Sequence, residues 1–399
     1  MAAPVPAQLV RGGDLVVADF YANGAFRVTR AGVVTPLYAG APLLGPADVA
    51  VDGDLDVFIA DFTGGAIYRI ESTSLLVPVA GGISGPIRMA VDHNGDLIVT
   101  TLTSGQLLRV TQAGVATPIA SGFFRPFGVT VEPGGDYLVT TDLNPSFQID
   151  GRLWRVDRAT GNKMEIAGNL DLAEAVALFH DGDYAVASGN PDYVDRIDRV
   201  TGFRTRLVSS PPLGNPCDLV GDFAGGFYVS ESGLPAGNRI VHVDAAGALT
   251  VVSASPLLLN PEGLARAPQL SGPTAPFTGP GADFDLLLDF PGEGGRPYKI
   301  VAALSVFPGI ALPAPDPRGS PLNPDVLFLR TRMGDFSPFT SGWTGGALGP
   351  QGRARAALNL SSLAPGALAG MAVHLHAFTL DAAAPSGLRS FSNVLSLHF

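Results

Sequence analysis

The chain has 399 residues, of which 46% are hydrophobic and 15% charged, with 50 glycines and 34 prolines. Its net charge of −11 argues against nucleic acid and anionic membranes as partners, because an acidic surface repels phosphate groups. The single cysteine, Cys217, excludes an intramolecular disulfide, and no apolar run approaches the ~20 residues that span a bilayer. Many turn-forming residues and few charges favour an all-β protein.

A repeated unit occupies the first two thirds of the chain. The residue that opens the second strand of each unit falls at positions 14, 56, 96, 136, 183 and 226, so the unit recurs every 40 to 47 residues. A period of about 40–45 residues, with turn signals in every copy, is typical of a β-propeller blade. The spacing therefore predicts a propeller.

The first unit shows how a blade is expected to form. Residues 14–19 are a β-branched run suited to a buried strand, and Asn23-Gly24 forms a turn before an alternating strand at 25–29. A further turn leads to residues 33–37, where Pro36 fits an outer edge strand because one missing N–H costs little there. The other units repeat this order.

The two ends of the repeat region complement each other. Residues 261–266 copy the opening strand of a unit but have no second half after them, while the first unit lacks a convincing opening strand. The strand at 261–266 is therefore predicted to complete blade one, which leaves no open sheet edge. This gives six blades within residues 1–267.

The repeat stops after the propeller region. Residues 268–282 are rich in Pro, Gly, Ser and Thr and are predicted to be a linker. Residues 283–399 contain six or seven irregularly spaced runs of strand character, which predict a two-sheet β-sandwich.

The units PFGVTV…GGDYLV…GRLWRVD and PADVAV…DVFIADF…GAIYRI resemble the NHL-type repeats of six-bladed propellers. They are also similar to virginiamycin B lyase-like and gluconolactonase-like propellers, over residues 12–266. The resemblance implies the fold, which enzymes, binding domains and scaffolds share. The C-terminal ending, residues 391–397, resembles a terminal β-sandwich module of secreted planctomycete or myxobacterial proteins, which implies a secreted or cell-surface location.

The resemblance also implies possible metal ligands. Gluconolactonase-like members hold one divalent metal in the channel through a Glu, an Asn and an Asp, and comparable positions here are Glu262, Asn215 or Asn260, and Asp218. The N-terminal Glu-Gly-Pro element of that family is missing. Lyase-like members use a His base, whereas His93 and His180 follow the strand openings here.

The residues that open the innermost strands are predicted to line the channel mouth, the usual ligand site of a propeller. Six of them are candidate ligand-binding residues: Asp48, Arg88, Phe127, Glu174, Asp218 and Glu262. Converging carboxylates are what Ca²⁺ or Mg²⁺ requires, so Glu174, Asp218 and Glu262 are possible metal ligands. They could equally raise one another's pKa and supply a general base.

Other acids and histidines have competing interpretations. Asp19 and Asp61 end the second strand of their blades, where an Asp commonly caps its own turn. His374 and His376 alternate on a predicted strand, with His398 on a possible neighbour. They are either a metal pair without an identified third ligand or half-exposed sheet residues.

These observations favour a secreted, non-catalytic propeller that engages a protein or small-molecule ligand at its mouth and at the loops of blades four to six. The sandwich would serve for attachment or self-association, and the unit could also repeat within an extracellular assembly. The alternative is a divalent-metal-dependent lactonase- or lyase-like enzyme that uses Glu174, Asp218 and Glu262. In that alternative Arg88 would bind an anionic group of the substrate.

Overall fold

The computed structural model describes most of the repeat region and parts of the C-terminal region. The described residues are 9–53, 55–71, 75–92, 94–132, 134–142, 151–179, 182–209, 211–222, 225–233, 237–271, 283–290, 295–303, 306–311, 319–322, 345–348, 353–359, 372–380 and 388–398. Their regular structure is β-strand throughout, as the composition predicts. Nowhere in these ranges is there a helix with the length and hydropathy to cross a membrane.

Six four-stranded antiparallel sheets form the blades. The first three contain β1 (Leu15–Asp19), β2 (Gly24–Val28) and β3 (Val34–Ala39); β4 (Pro46–Val51), β5 (Val57–Asp61), β6 (Ala66–Ile70) and β7 (Leu76–Gly81); and β8 (Pro86–Val91), β9 (Leu97–Thr101), β10 (Gln106–Val110) and β11 (Ala116–Ser121). The others contain β12 (Pro126–Val131), β13 (Tyr137–Thr141), β14 (Gly151–Val156) and β15 (Lys163–Leu170); β16 (Ala173–Leu178), β17 (Tyr184–Gly189), β18 (Asp192–Ile197) and β19 (Arg204–Ser209); and β20 (Pro216–Gly221), β21 (Phe227–Glu231), β22 (Arg239–Val243) and β23 (Leu249–Ser253).

Blade one is completed from the far end of the propeller region. The strand β24 (Pro261–Arg266) pairs antiparallel with β1, with Leu15 opposite Arg266 and Val17 opposite Leu264. Backbone hydrogen bonds of 2.8 Å from Gly13 N–H to Ala267 and from Ala267 N–H to Asp14 extend this pairing. The predicted closure and the count of six blades are confirmed.

Strand burial is high near the channel and low at the outer edge of each blade. The second strands of blades one to four are buried at every position, and apolar side chains of adjacent blades pack together, as Val16 does with Val57 and Ile59. The outer strands are largely exposed, and Pro36, Pro78 and Pro118 all lie on them in exposed positions. The core therefore lies between blades, around the channel.

The described C-terminal strands form three small sheets. They are β25 (Leu270–Ser271), β26 (Asp283–Asp289), β27 (Pro297–Ala303), β28 (Val306–Ala311), β29 (Gly319–Leu322), β30 (Gly345–Ala347), β31 (Arg353–Asn359), β32 (Ala372–Leu380) and β33 (Leu388–His398). The sandwich and the domain boundaries remain predictions, and most of the predicted linker lies outside the described residues. Asp289 contacts the propeller, pairing with Arg11 at 2.5 Å and accepting the Gly12 N–H at 3.1 Å.

Candidate functional site at the channel mouth

The inner strands β4, β8, β12, β16, β20 and β24 surround the channel, and each contacts the inner strand of the next blade. All six run in the same direction, so the residues that open them gather at one end, which we call the mouth. The segments at 44–45 and 259–260, which lead into two of these strands, lie at the same end. The repeat thus brings residues that are far apart in sequence to one rim.

Asp19 and Asp61 hold these entry segments in place. The Asp19 carboxylate accepts hydrogen bonds from Ala22 N–H in its own turn and from Leu259 and Asn260 N–H. Asp61 likewise accepts from Gly64, Leu44 and Gly45. Their interpretation as turn caps is confirmed, and both also fasten the start of an inner strand.

Arg88 fills the channel just below the mouth. Its side chain is almost fully buried, and Nη1 donates to the carbonyls of Ala47 and Ile87 at 3.0 Å each. Nη2 donates to the Cys217 carbonyl at 2.8 Å, on the far side of the channel. The guanidinium therefore links blades two, three and six across the axis. It is not displayed as an open anion-binding group.

Asp48 and Asp218 lie beside this guanidinium and are also buried. Asp48 Oδ2 accepts the Met89 N–H at 2.6 Å, while Asp218 accepts the N–H groups of Leu219 and Leu264 at 2.8 Å each. Burial and the Asp218 carboxylate raise the pKa of Asp48 well above its ordinary value, and burial also raises the pKa of Asp218. The other oxygen of Asp48, Oδ1, is buried and has no hydrogen-bond partner among the described residues.

Two glycines make room for this arrangement. Asp48, Arg88, Gly128, Ala175, Asp218 and Gly263 occupy equivalent positions in the six inner strands. A Cβ on Gly263 would lie 2.7 Å from the Ala47 carbonyl and closer still to Asp48, and one on Gly128 would lie 2.7 Å from Ala175 Cα. Small residues at these positions let the inner strands approach while the three charged side chains fill the axis.

Glu174 and Glu262 lie above this buried group, at the mouth. Glu262 Oε1 accepts a hydrogen bond from Asn260 Nδ2 at 2.8 Å, and Oε2 is 3.8 Å from Arg88 Nη2. Glu174 accepts no hydrogen bond from any residue in the described ranges, and the absence of a side chain at Gly189 leaves space beside its carboxylate. Burial raises the pKa of Glu174 to about 8, with help from Glu262, Asp142 and Asp192 and against the Arg88 charge.

Three further residues at the mouth are Asn215, Cys217 and Ser232. The sequence did not indicate that they lie together. Asn215 has a positive φ of 42° immediately before the inner strand of blade six, and its Nδ2 donates to the Ser232 carbonyl at 2.9 Å. The Cys217 thiol lies 2.9 Å from the Ser232 hydroxyl, and burial raises its pKa well above the ordinary value. Cys217 is therefore a buried neutral thiol, as a strand cysteine is expected to be.

An aromatic and cationic shelf adjoins the mouth on blade four. It comprises Phe123, Phe124, Arg152, Trp154 and Lys163 around a cavity of about 260 Å³. Lys163 Nζ lies 4.4 Å from the Phe123 ring centre and donates to the Ser121 carbonyl at 2.8 Å. Phe127, predicted to be at the mouth, is half-buried, with the Arg125 guanidinium 5.9 Å from its ring centre.

The assignment of Glu174, Asp218 and Glu262 as metal ligands stays a prediction. No three His, Cys, Asp or Glu residues in the part of the chain that the structure describes lie close enough together to hold a metal ion. Both Asp218 oxygens accept backbone hydrogen bonds, and the Arg88 guanidinium lies within 4.0 Å of both Asp218 and Glu262. The Arg88 charge would therefore compete with Ca²⁺ or Mg²⁺ for the carboxylates of Asp218 and Glu262.

The C-terminal histidines lie on neighbouring strands, as predicted, with His374 and His376 on β32 and His398 on β33. His376 is buried, and its Nε2 lies 3.1 Å from the Ser392 carbonyl. His376 therefore packs inside the sheet region as a structural residue. The side chains of His374 and His398 are outside the described residues.

Comparisons with solved structures agree with this architecture. A chain of a nidogen–laminin complex aligns with a TM-score of 0.57 and 15% identity, over 64% of this chain and 98% of that one. A gluconolactonase from Xanthomonas campestris aligns with a TM-score of 0.50 and 14% identity, over 64% of this chain and 89% of the enzyme. The chain shares their propeller fold. No family model matches the sequence, and no curated protein is significantly similar to it.

At these identities the likeness establishes the fold alone. The six-bladed propeller fold that the sequence resemblance implies is confirmed. Function has to be argued from the site.

Proposed function

We propose that the protein is a non-catalytic binding propeller whose mouth takes a cationic group of a ligand or partner protein. The proposal rests on one observation, the lack of a hydrogen-bond donor at the Glu174 carboxyl group. It accepts no hydrogen bond from the described residues, whereas Asp48 and Asp218 are bound to backbone amides. A partly desolvated carboxyl group without a hydrogen-bond donor ionises more readily when a cationic group lies beside it, and the two then form a charge-assisted hydrogen bond.

The electrostatics of the rim support the same ligand class. Burial is the largest cause of the raised pKa of Glu174, and the charges of Glu262, Asp142 and Asp192 all act on it in the same direction. A guanidinium or ammonium group placed between Glu174 and Glu262 would offset this repulsion. The blade-four shelf offers apolar contact beside it through Phe124 and Trp154, and Phe124 is 45% exposed.

A protein partner is the ligand class we favour, since a chain with a similar fold was solved in a nidogen–laminin complex. Secretion, and attachment or self-association through the C-terminal region, are further parts of the proposal. They rest on the sequence resemblance. Size-exclusion chromatography that gives only monomer at high concentration would contradict self-association.

Arrayed short peptides that differ at one position test the mouth directly. We expect peptides with arginine to bind more tightly than the same peptides with citrulline, which has nearly the same shape but no charge. Glu174→Gln and Glu262→Gln should weaken the binding of the arginine peptides about tenfold or more, while Glu71→Gln, at a half-buried residue of blade two, should not. Equal binding of arginine and citrulline peptides would refute the proposal.

A further inference from the structure

A second cavity, of about 380 Å³, lies between blades one and six at the end of the propeller opposite the mouth. Its walls come from the start of β1, the turn after β2, and the strands β21 to β23. The residues that line it are Gly13, Leu15, Thr29, Arg30, Ala31, Tyr228, His242, Thr250, Val251 and Val252. The lining thus contains one arginine and no carboxylate, although the whole chain is acidic.

Arg30 brings an uncompensated positive charge to this cavity. Its side chain is exposed and makes no hydrogen bond or ion pair within the described part of the chain. The guanidinium lies over Gly13, where a Cβ would be 2.7 Å from Nη2, so the missing side chain of Gly13 lets Arg30 lie flat. The charge is therefore held at the cavity wall by local packing.

A second arginine lies close behind the wall. The guanidinium carbon of Arg266 is 5.9 Å from the Tyr228 ring centre, and its Nε and Nη1 atoms are buried. Burial, together with the positive charge of Arg30, lowers the pKa of Arg266 to about 10. The nearby Asp222 carboxylate is hydrogen-bonded to His242 Nε2 at 2.8 Å. A second positive charge therefore lies behind the Tyr228 ring, with the Asp222 carboxylate also acting on it.

The cavity is also larger than a simple inorganic anion needs. Tyr228 and His242 present rings 4.8 Å apart, and Leu15, Val251 and Val252 supply apolar surface. A guanidinium beside ring faces suits an anion with an attached flat or apolar part. A bound anion would offset the repulsion between the two arginines, and the rings would cover its apolar part.

We propose that this cavity binds a small ring-bearing organic anion, with Arg30 pairing with its carboxylate or phosphate and Tyr228 and His242 contacting its ring. The site is separate from the mouth, and its existence does not depend on what the mouth binds.

Calorimetry with phenyl phosphate, benzoate and phenol at constant ionic strength tests the site. We expect phenyl phosphate or benzoate to bind and phenol to bind at least tenfold more weakly, and the stronger of the two anions identifies the preferred head group. Arg30→Ala should weaken the anion about tenfold or more, because a charge-assisted hydrogen bond is lost. Tyr228→Leu should reduce the advantage of phenyl phosphate over inorganic phosphate.

Arg158→Ala is the matched control. Arg158 lies over Gly135 in blade four as Arg30 lies over Gly13, with a Cβ on that glycine 2.8 Å from Nη1. The control should keep the full affinity and melt at nearly the same temperature as Arg30→Ala. Unchanged affinity in Arg30→Ala, equal loss in both variants, or phenol binding as tightly as the anions would each overturn the proposal.

Discussion

The Asp48 carboxylate on the inner strand of blade two accepts a 2.6 Å hydrogen bond from the backbone N–H of Met89 on the inner strand of blade three. Asp218 on blade six makes the corresponding bond to Leu264 N–H on blade one, at 2.8 Å. Inner strands of a propeller turn one edge toward the axis, where no further strand can pair with it. In this protein two acids that line the channel supply part of that missing pairing and tie neighbouring blades together.

Asp48→Ala and Asp48→Asn are expected to differ strongly in stability. The alanine variant loses the bond to Met89 and leaves Arg88 with less negative charge around it, so unfolding should become easier by about 2–4 kcal/mol. The asparagine variant resembles the protonated carboxyl that its raised pKa favours and should stay within about 1 kcal/mol of wild type at pH 7. Urea unfolding measures both changes.

Glu71→Gln serves as the reference for that experiment. Glu71 lies in a surface pair with Arg69 at 3.4 Å, and such pairs contribute at most about 1 kcal/mol. If Asp48→Ala is no more destabilising than this surface variant, the carboxylate does not tie the blades together.

Gly263→Ala tests the close packing of the inner strands. A Cβ at this position would approach the Ala47 carbonyl to 2.7 Å and would also meet Asp48, so the strand that closes blade one must shift. We expect destabilisation of about 2–3 kcal/mol from this overpacking. Gly134→Ala is the control, since its Cβ would meet nothing within 4 Å, and it should change stability by less than about 0.5 kcal/mol. Similar melting temperatures for the two variants would contradict the packing argument.

The architecture could be predicted because the sequence repeats it. One strand pattern recurs six times, and the unmatched strand at 261–266 can only be accommodated beside β1. The capping roles of Asp19 and Asp61 were also predictable, since an Asp at a strand end before a turn bonds to nearby N–H groups whatever the fold. Local chemistry and periodicity determine these features.

The interior of the channel could not be predicted in the same way. Repeat position indicated that Asp48, Arg88, Asp218 and Glu262 approach the axis, but not which of them fills it. Arg88 reaches the Cys217 carbonyl, 129 residues away in sequence, because Gly128, Ala175 and Gly263 leave space at the same level. Which side chain fills the channel depends on the residues that open all six inner strands, so it cannot be predicted from any one strand.

Glu174 should make stability depend on pH. Its folded pKa of about 8 lies above the unfolded value of about 4.3, so the folded state binds this proton more tightly. The proton on Glu174 therefore stabilises the folded state fully below about pH 4.3. This stabilisation is lost as the pH rises through 8. Glu174→Gln cannot ionise, so it should match wild type near pH 4.5 and exceed it by about 1–3 kcal/mol at pH 9, after allowance for solvent screening.

Denaturant unfolding of both proteins between pH 4 and 9 measures this difference. Other groups titrate in the same range, so the quantity to plot is the wild-type stability minus that of Glu174→Gln at each pH. A difference that stays constant across the range would show that Glu174 titrates normally. Glu71→Gln, which removes a surface carboxyl paired with Arg69 at 3.4 Å, is measured in the same way as the control.

Calcium should bind the channel only when Arg88 is removed. In the wild type the Arg88 guanidinium lies within 4.0 Å of the carboxylates of Asp218 and Glu262, so millimolar calcium after dialysis against chelator should leave the melting temperature nearly unchanged. Arg88→Ala is expected to lose about 3–5 kcal/mol of stability because the acids are left without their cation. Calcium should then restore part of that loss, since three oxygen-bearing side chains face the vacated space. Arg88→Ala/Asp218→Asn should lose the calcium response, and a calcium-stabilised wild type would instead favour the metal-dependent enzyme.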